Sequence, residues 1–139
     1  RDFTSAPQPV PPEDLPHLPV KDLANWQAVE DGMVAVMHGP TGTARAHGAG
    51  ASYLIAGKSG TAQRVRASRV QQLDENAIPE HLRNQALFVA YAPAESPQIA
   101  VAVVVEHGLS GSRAAAPVAR RIIDAYLKVP TPETIGDPP

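Results

Sequence analysis

Ser52-Tyr53-Leu54-Ile55-Ala56 runs without interruption into Gly57-Lys58-Ser59-Gly60-Thr61, an apolar and aromatic stretch ending in a cationic, hydroxyl-rich tetrapeptide. The first five residues read as a strand leading into the second five. Lys58, Ser59, Gly60 and Thr61 put an ammonium, two hydroxyls and a residue without a side chain at the end of that strand. Glycine lets a ligand lie close against a strand. Lysine supplies a point charge for a carboxylate, and hydroxyls add short hydrogen bonds to the same charged acceptor. The backbone N–H of Thr61, facing a cleft, would donate to a developing oxyanion. Period-two alternation sends Lys58 and Ser59 to opposite faces of a sheet. One site can use both only if this strand forms a sheet edge beside a cleft. Taken alone, the tetrapeptide equally describes a solvated strand end.

Upstream, residues 22–38 carry Leu23, Trp26, Val29, Met33 and Val36 at three- and four-residue steps, which predicts a helix with one apolar stripe turned to the core. Gly39-Pro40 ends it, the glycine as a left-handed cap and the proline because it cannot continue a helix. A turn-rich segment, residues 39–50, joins helix to strand. Downstream, after a polar stretch over residues 63–84, Leu87, Val89 and Tyr91 alternate with Phe88 and Ala90 until Pro93 stops the run. Residues 98–106 form a valine-rich strand apolar on both faces, expected to be buried on both. The short Pro93-Ala94-Glu95-Ser96-Pro97 link predicts an antiparallel hairpin. Residues 114–127 read as a helix with Ala115, Val118, Ile122 and Tyr126 on one face. Helix, strand, long loop, strand, strand, helix implies an α+β fold, an antiparallel sheet covered by helices.

The 139 residues amount to one domain or part of one, and 43% hydrophobic residues allow a core. A net charge of −2 gives no electrostatic case for nucleic acid or an anionic membrane surface. No cysteine is present, which excludes disulfides and thiolate metal sites. The longest apolar run, residues 99–105, is too short to span a bilayer. Six of the fifteen prolines fall in the first twenty residues, and Pro130, Pro132, Pro138 and Pro139 crowd the end. Proline fixes φ and removes a donor, so residues 1–21 are expected to be an extended lead-in and residues 128–139 a flexible tail around a folded 22–127. The histidines are scattered without metal-ligand spacing, and His38 is expected at a helix C-terminus, where a cation is favourable.

The stretch from Tyr53 through Lys58-Ser59-Gly60-Thr61-Ala62-Gln63 resembles the third active-site motif, Lys-Thr-Gly or Lys-Ser-Gly, of the penicillin-recognising serine enzymes. The flanking Ala56-Gly57 and Thr61-Ala62-Gln63 are similar to the class B penicillin-binding proteins, and within that class to the elongation transpeptidases. Val29-Glu30-Asp31-Gly32-Met33-Val34-Ala35-Val36 and Gly39-Pro40-Thr41-Gly42-Thr43-Ala44 resemble the helix and Gly-Thr-Ala turn preceding the motif strand. Leu87-Phe88-Val89-Ala90-Tyr91-Ala92-Pro93 and Pro97-Gln98-Ile99-Ala100-Val101-Ala102-Val103 resemble the family's last two strands.

The resemblance implies the C-terminal part of the penicillin-binding/β-lactamase-like transpeptidase fold. It also implies an acyl-serine mechanism, in which a serine of a Ser-x-x-Lys motif attacks a D-Ala-D-Ala bond with help from a Ser-x-Asn motif. No serine in this chain has lysine three residues on or asparagine two residues on, so the nucleophile and base are expected on upstream sequence. By position, Lys58 and Ser59 would bind the substrate carboxylate, Gly60 would keep the groove open, and Thr61 would give a hydroxyl and the oxyanion N–H. Implied partners are peptidoglycan stem peptides, β-lactams and a membrane glycan polymerase, at the periplasmic face of the inner membrane behind an N-terminal anchor. No cofactor, metal or nucleic acid is implied. Arg64, Arg66 and Arg69, in a loop that borders the active site in the family, are expected to form a solvated face, as is Asp74-Glu75-Asn76. A β-lactamase or β-lactam sensor fragment, or a stand-alone non-catalytic binding module, are the alternative readings.

Overall fold

The computed structural model describes residues 19–63 and 78–129. The Pro-rich lead-in up to residue 18, the tail beyond Val129, Arg64, Arg66, Arg69 and Asp74-Glu75-Asn76 lie outside the described residues. Helix α1 spans Leu23–His38, and the Asp22 side chain caps it by accepting from the Ala24 N–H at 2.8 Å. A single turn, α2, covers Arg45–Gly48. Strands β1 (Ala56–Ala62), β2 (Gln85–Ala92) and β3 (Ile99–Val105) form one antiparallel sheet in the order β1-β2-β3. A short 3₁₀ turn, Glu80–Leu82, precedes β2, and a π-turn, Gly111–Ala115, leads into α3, Ala116–Leu127. The α+β architecture and the antiparallel hairpin are as the sequence predicts.

The core lies on one face of the sheet. Ala86, Phe88, Ala90 and Ala92 of β2 alternate inward. They meet Ala116, Ala119 and Ile123 of α3, with Met37 and Ile55 closing the end. Burying Phe88, Ile123, Met37 and Ile55 contributes roughly 1.5–3 kcal/mol each, and each alanine less. Alanine on facing surfaces of helix and strand lets the two backbones approach closely.

Five expectations are corrected. The motif strand begins at Ala56, and Ser52–Ile55 form a bend before it, so the tetrapeptide lies inside the strand. Gly39 is extended at φ −72°, ψ 154°, not left-handed. Glycine is needed there because a Cβ would come within 2.7 Å of the Ala35 carbonyl oxygen as the chain folds back on α1. The α1 stripe is core only near its C-terminal end. Leu23, Trp26 and Val29 are exposed and Met37 is the buried residue, because only the last turns of α1 reach the sheet. β3 is half-buried on one face and exposed at Ala100, Ala102 and Val104 on the other, since the described helices do not cover that second face. The α3 face named from the sequence is also rotated. Ala115, which ends the π-turn, is buried as expected, but Val118, Ile122 and Tyr126 are exposed, while Ala116, Ala119 and Ile123 are buried.

Candidate substrate-binding site

Among the described residues β1 is an outer strand, paired to β2 along one side only. Its register sets Lys58 opposite Val89, Ser59 opposite Phe88, Gly60 opposite Leu87 and Thr61 opposite Ala86. Directly opposed residues of an antiparallel pair share a face. Ser59 and Thr61 therefore stand on the face of Phe88 and Ala86, and Lys58 stands on the other, with half-exposed Val89. Lys58 is exposed, and its ammonium bends back to donate to the Ser59 carbonyl at 2.6 Å. Thr61 is exposed and Ser59 half-buried.

A third hydroxyl joins them. The turn after α1 folds back through the Ala44 N–H donating to Val36 O at 3.0 Å and the Gly42 N–H donating to Gly39 O at 3.0 Å. A Cβ on Gly42 would overlap the carbonyls of Ala35 and Val36, so this return path needs glycine. The turn delivers Thr43, whose Oγ1 lies 3.4 Å from Ser59 Oγ. Thr43 and Ser59 thus meet on one face of an edge strand, with Thr61 two residues on along that face, while Lys58 stands on the other face with its ammonium on the Ser59 carbonyl oxygen. Such a set can hold a carboxylate by charge-assisted hydrogen bonds. Sequence reasoning quoted Thr43 only as part of the turn and gave it no role.

Two ties hold the strand that carries the site. His38 Nε2 accepts from the Ile55 N–H at 2.9 Å, joining the end of α1 to the residue before β1. Burial first, and then the Arg120 guanidinium, push the His38 pKa below its ordinary value, against an opposing pull from Glu95. The imidazole thus serves as a neutral acceptor, not as the helix-end cation expected from the sequence. The Tyr53 hydroxyl donates to Asp124 Oδ1, and Arg120 Nε donates to both Asp124 oxygens at 2.9 and 2.8 Å. Arg120 Nη1 also donates to His47 O at 2.8 Å. Desolvation, followed by the bond to the Asp124 carboxylate, raises the Tyr53 pKa to about 12. The sequence signal for this network, Arg120 and Asp124 four residues apart, is identical to that of an ordinary surface pair.

An open groove between α1 and the β2–β3 hairpin, lined by Glu30, Val34, His38, Leu54, Tyr91 and Glu95, lies toward the start of β1 and includes none of Thr43, Lys58, Ser59, Gly60 and Thr61. Among the described residues no cluster of three metal-ligating side chains occurs, and no helix is long and apolar enough to cross a membrane.

The model of the penicillin binding protein transpeptidase domain matches residues 9–124. The chain is 36% identical over 118 residues to the peptidoglycan D,D-transpeptidase MrdA of Haemophilus influenzae, covering 85% of this chain and 18% of that protein. It therefore spans less than a fifth of that relative's length. The crystal structure of Pseudomonas aeruginosa PBP2 in complex with WCK 5153 aligns with a TM-score of 0.66 at 50% identity, over 86% of this chain and 23% of that one. Penicillin-binding protein A of Mycobacterium tuberculosis, solved as a ceftriaxone acyl-enzyme complex, aligns with a TM-score of 0.51 at 34% identity, over 71% and 20% respectively.

Proposed function

We propose, from the premise that this chain belongs to the penicillin-binding protein transpeptidase family, that it is the substrate-strand portion of a peptidoglycan D,D-transpeptidase that cross-links stem peptides in cell-wall synthesis. The observation that carries this reading is the gathering of Lys58, Ser59, Thr61 and Thr43 at an edge strand. In it, the terminal carboxylate of a D-Ala-D-Ala stem peptide lies along β1. Ser59 and Thr61 donate to the carboxylate, and the Lys58 ammonium reaches round the free edge to complete its charge. Gly60 leaves room for the ligand backbone, and the Thr61 N–H meets the carbonyl oxygen as it gains charge. An activated serine and its base, from sequence outside these 139 residues, attack that carbonyl. The alanine leaves as an amine, and the acyl-enzyme passes to the amine of a neighbouring stem peptide. β-Lactams acylate the same serine, which the acyl-enzyme structure of the Mycobacterium tuberculosis relative supports. The setting is the periplasmic face of the inner membrane, beside a membrane glycan polymerase.

The test is the second-order rate of β-lactam acylation in the longer transpeptidase bearing this chain. A charge-assisted hydrogen bond contributes roughly 1.5–3 kcal/mol, so Lys58→Ala should acylate about ten- to a hundredfold more slowly, the factor that ~1.4–2.8 kcal/mol implies. Its melting temperature should barely move, because Lys58 is exposed. Ser59→Thr keeps the hydroxyl and should acylate near the wild-type rate. A Lys58→Ala protein that acylates normally, or is slow only because it is unfolded, refutes the carboxylate role.

A further inference from the structure

We propose that Gly111 is a positioning residue for the substrate strand, setting the depth at which the Gly60–Thr61 backbone is held; its effect on acylation rests on the transpeptidase reading above. Gly111 is buried and opens the π-turn that leads into α3. A Cβ built on it would stand 2.6 Å from Gly60 O and 3.0 Å from Gly60 N, and would press still harder on Leu87 O. Gly60 and Leu87 are partners across one rung of the β1–β2 ladder. Gly111 therefore rests directly on the rung that carries the middle of the motif. Every one of these contacts is to backbone, which cannot swing aside as the tip of a side chain can. A Cβ at Gly60 itself would meet only the Leu87 side chain, at 3.3 and 3.6 Å. The intolerance of this rung thus lies at Gly111 and not at the motif glycine.

The direction of yielding follows from the sheet. Among the described strands β2 is central, with a partner on each side, while β1 is paired on one side only. A side chain at residue 111 displaces the less restrained partner, which is β1 at Gly60 and Thr61. The turn that delivers Gly111 is itself firmly placed. His107 and Leu109 hold left-handed φ values of 59° and 62°, and the Leu109 N–H donates to Asn84 O at 3.1 Å. Strained non-glycine residues and π-turns both collect at functional sites.

Gly108 supplies the control. A Cβ there would press on Ala86 Cβ at 2.9 Å, Val105 Cγ1 at 3.0 Å and Ala114 Cβ at 3.1 Å, all side-chain atoms and none on β1. Gly108→Ala therefore strains the same turn through Ala86, the cross-strand partner of Thr61, and leaves the Gly60–Leu87 rung untouched. In the longer transpeptidase bearing this chain, Gly111→Ala should shift the amide resonances of Gly60 and Thr61, while Gly108→Ala, which bears on Ala86 and not on the Gly60–Leu87 rung, should leave the Gly60 resonance in place. There, Gly111→Ala should slow β-lactam acylation tenfold or more, and Gly108→Ala should lower the melting temperature while slowing acylation several-fold less than Gly111→Ala. Unmoved Gly60 and Thr61 resonances in Gly111→Ala overturn the proposal, as does a Gly111→Ala chain that fails to fold, since Gly111 would then serve stability alone. Resonances that shift in a protein whose wild type never acylates leave the positioning intact and sink the transpeptidase reading instead.

Discussion

His38 ends its helix with an acceptor, and that choice makes the strand entry sensitive to acid. Its Nε2 receives the Ile55 N–H, a bond that only the neutral ring can accept. The folded-state pKa lies below the ordinary 6.5, so the unfolded chain binds the extra proton more readily. The stability from this contact is therefore fully present above about pH 6.5 and is lost as pH falls through the lowered folded value. The melting temperature of the 139-residue chain should decline from neutral pH toward pH 5, with His38→Gln flattening part of that decline. Parallel pH profiles for the two proteins would remove His38 from the explanation. At this scale Lys58, Ser59, Gly60 and Thr61 could be proposed from the sequence because their chemistry is contiguous there. The roles of His38, Thr43 and Gly111 could not, because each acquires its role from a partner elsewhere in the chain, such as the Ile55 amide 17 residues from His38.

Among the elements, α3 shows most clearly where periodicity runs out. Apolar spacing picked Ala115, Val118, Ile122 and Tyr126; Ala115 is buried at the end of the π-turn, but the helix itself buries Ala116, Ala119 and Ile123 together with Asp124, which is 3% exposed. Adjacent helical positions differ by about 100°, so small residues beside larger apolar ones make two stripes of similar appeal. The small one wins against the sheet because β2 also presents alanine, and because Asp124 must reach Tyr53 and Arg120. β1 and β2 were legible apart from a shift of boundary, since their alternation is strong and Pro93 marks the stop. Removing one partner from a buried ion pair leaves an uncompensated charge and costs about 3–5 kcal/mol. Asp124→Ala should lose stability on that scale in urea unfolding, while Tyr53→Phe, which removes one hydrogen bond, should lose only about 1 kcal/mol. If Asp124→Ala cost no more than Tyr53→Phe, the Arg120–Asp124 pair would be an incidental contact and not the clamp between α3 and the approach to β1.

Across the whole molecule, the architecture leaves three apolar surfaces without cover from the described elements. Leu23, Trp26 and Val29 are 79%, 52% and 55% exposed along α1. Val89 and Val104, at 47% and 60%, lie on the sheet face opposite the core, and Val118, Ile122 and Tyr126 line the outer side of α3 at 42%, 43% and 58%. β3 adds a sheet edge that no described strand pairs. Exposed apolar patches and an open, valine-rich edge are the conditions under which strands recruit other chains. The 139-residue chain alone should therefore self-associate as its concentration rises, and its urea transition should be broad, with apparent cooperativity below that of a compact domain of this length. The edge and the patches make separable contributions. Val103 faces the core and Val104 faces out, so Val104→Lys places a charge on the bare face without disturbing packing, and it should delay association while leaving the midpoint of unfolding nearly unchanged. Sedimentation velocity across a concentration series, with circular dichroism in urea alongside, reads both effects. A monomer at every concentration with a sharp two-state transition would mean that this chain is a self-sufficient binding module, and the substrate strand would then have to be understood without the rest of a transpeptidase around it.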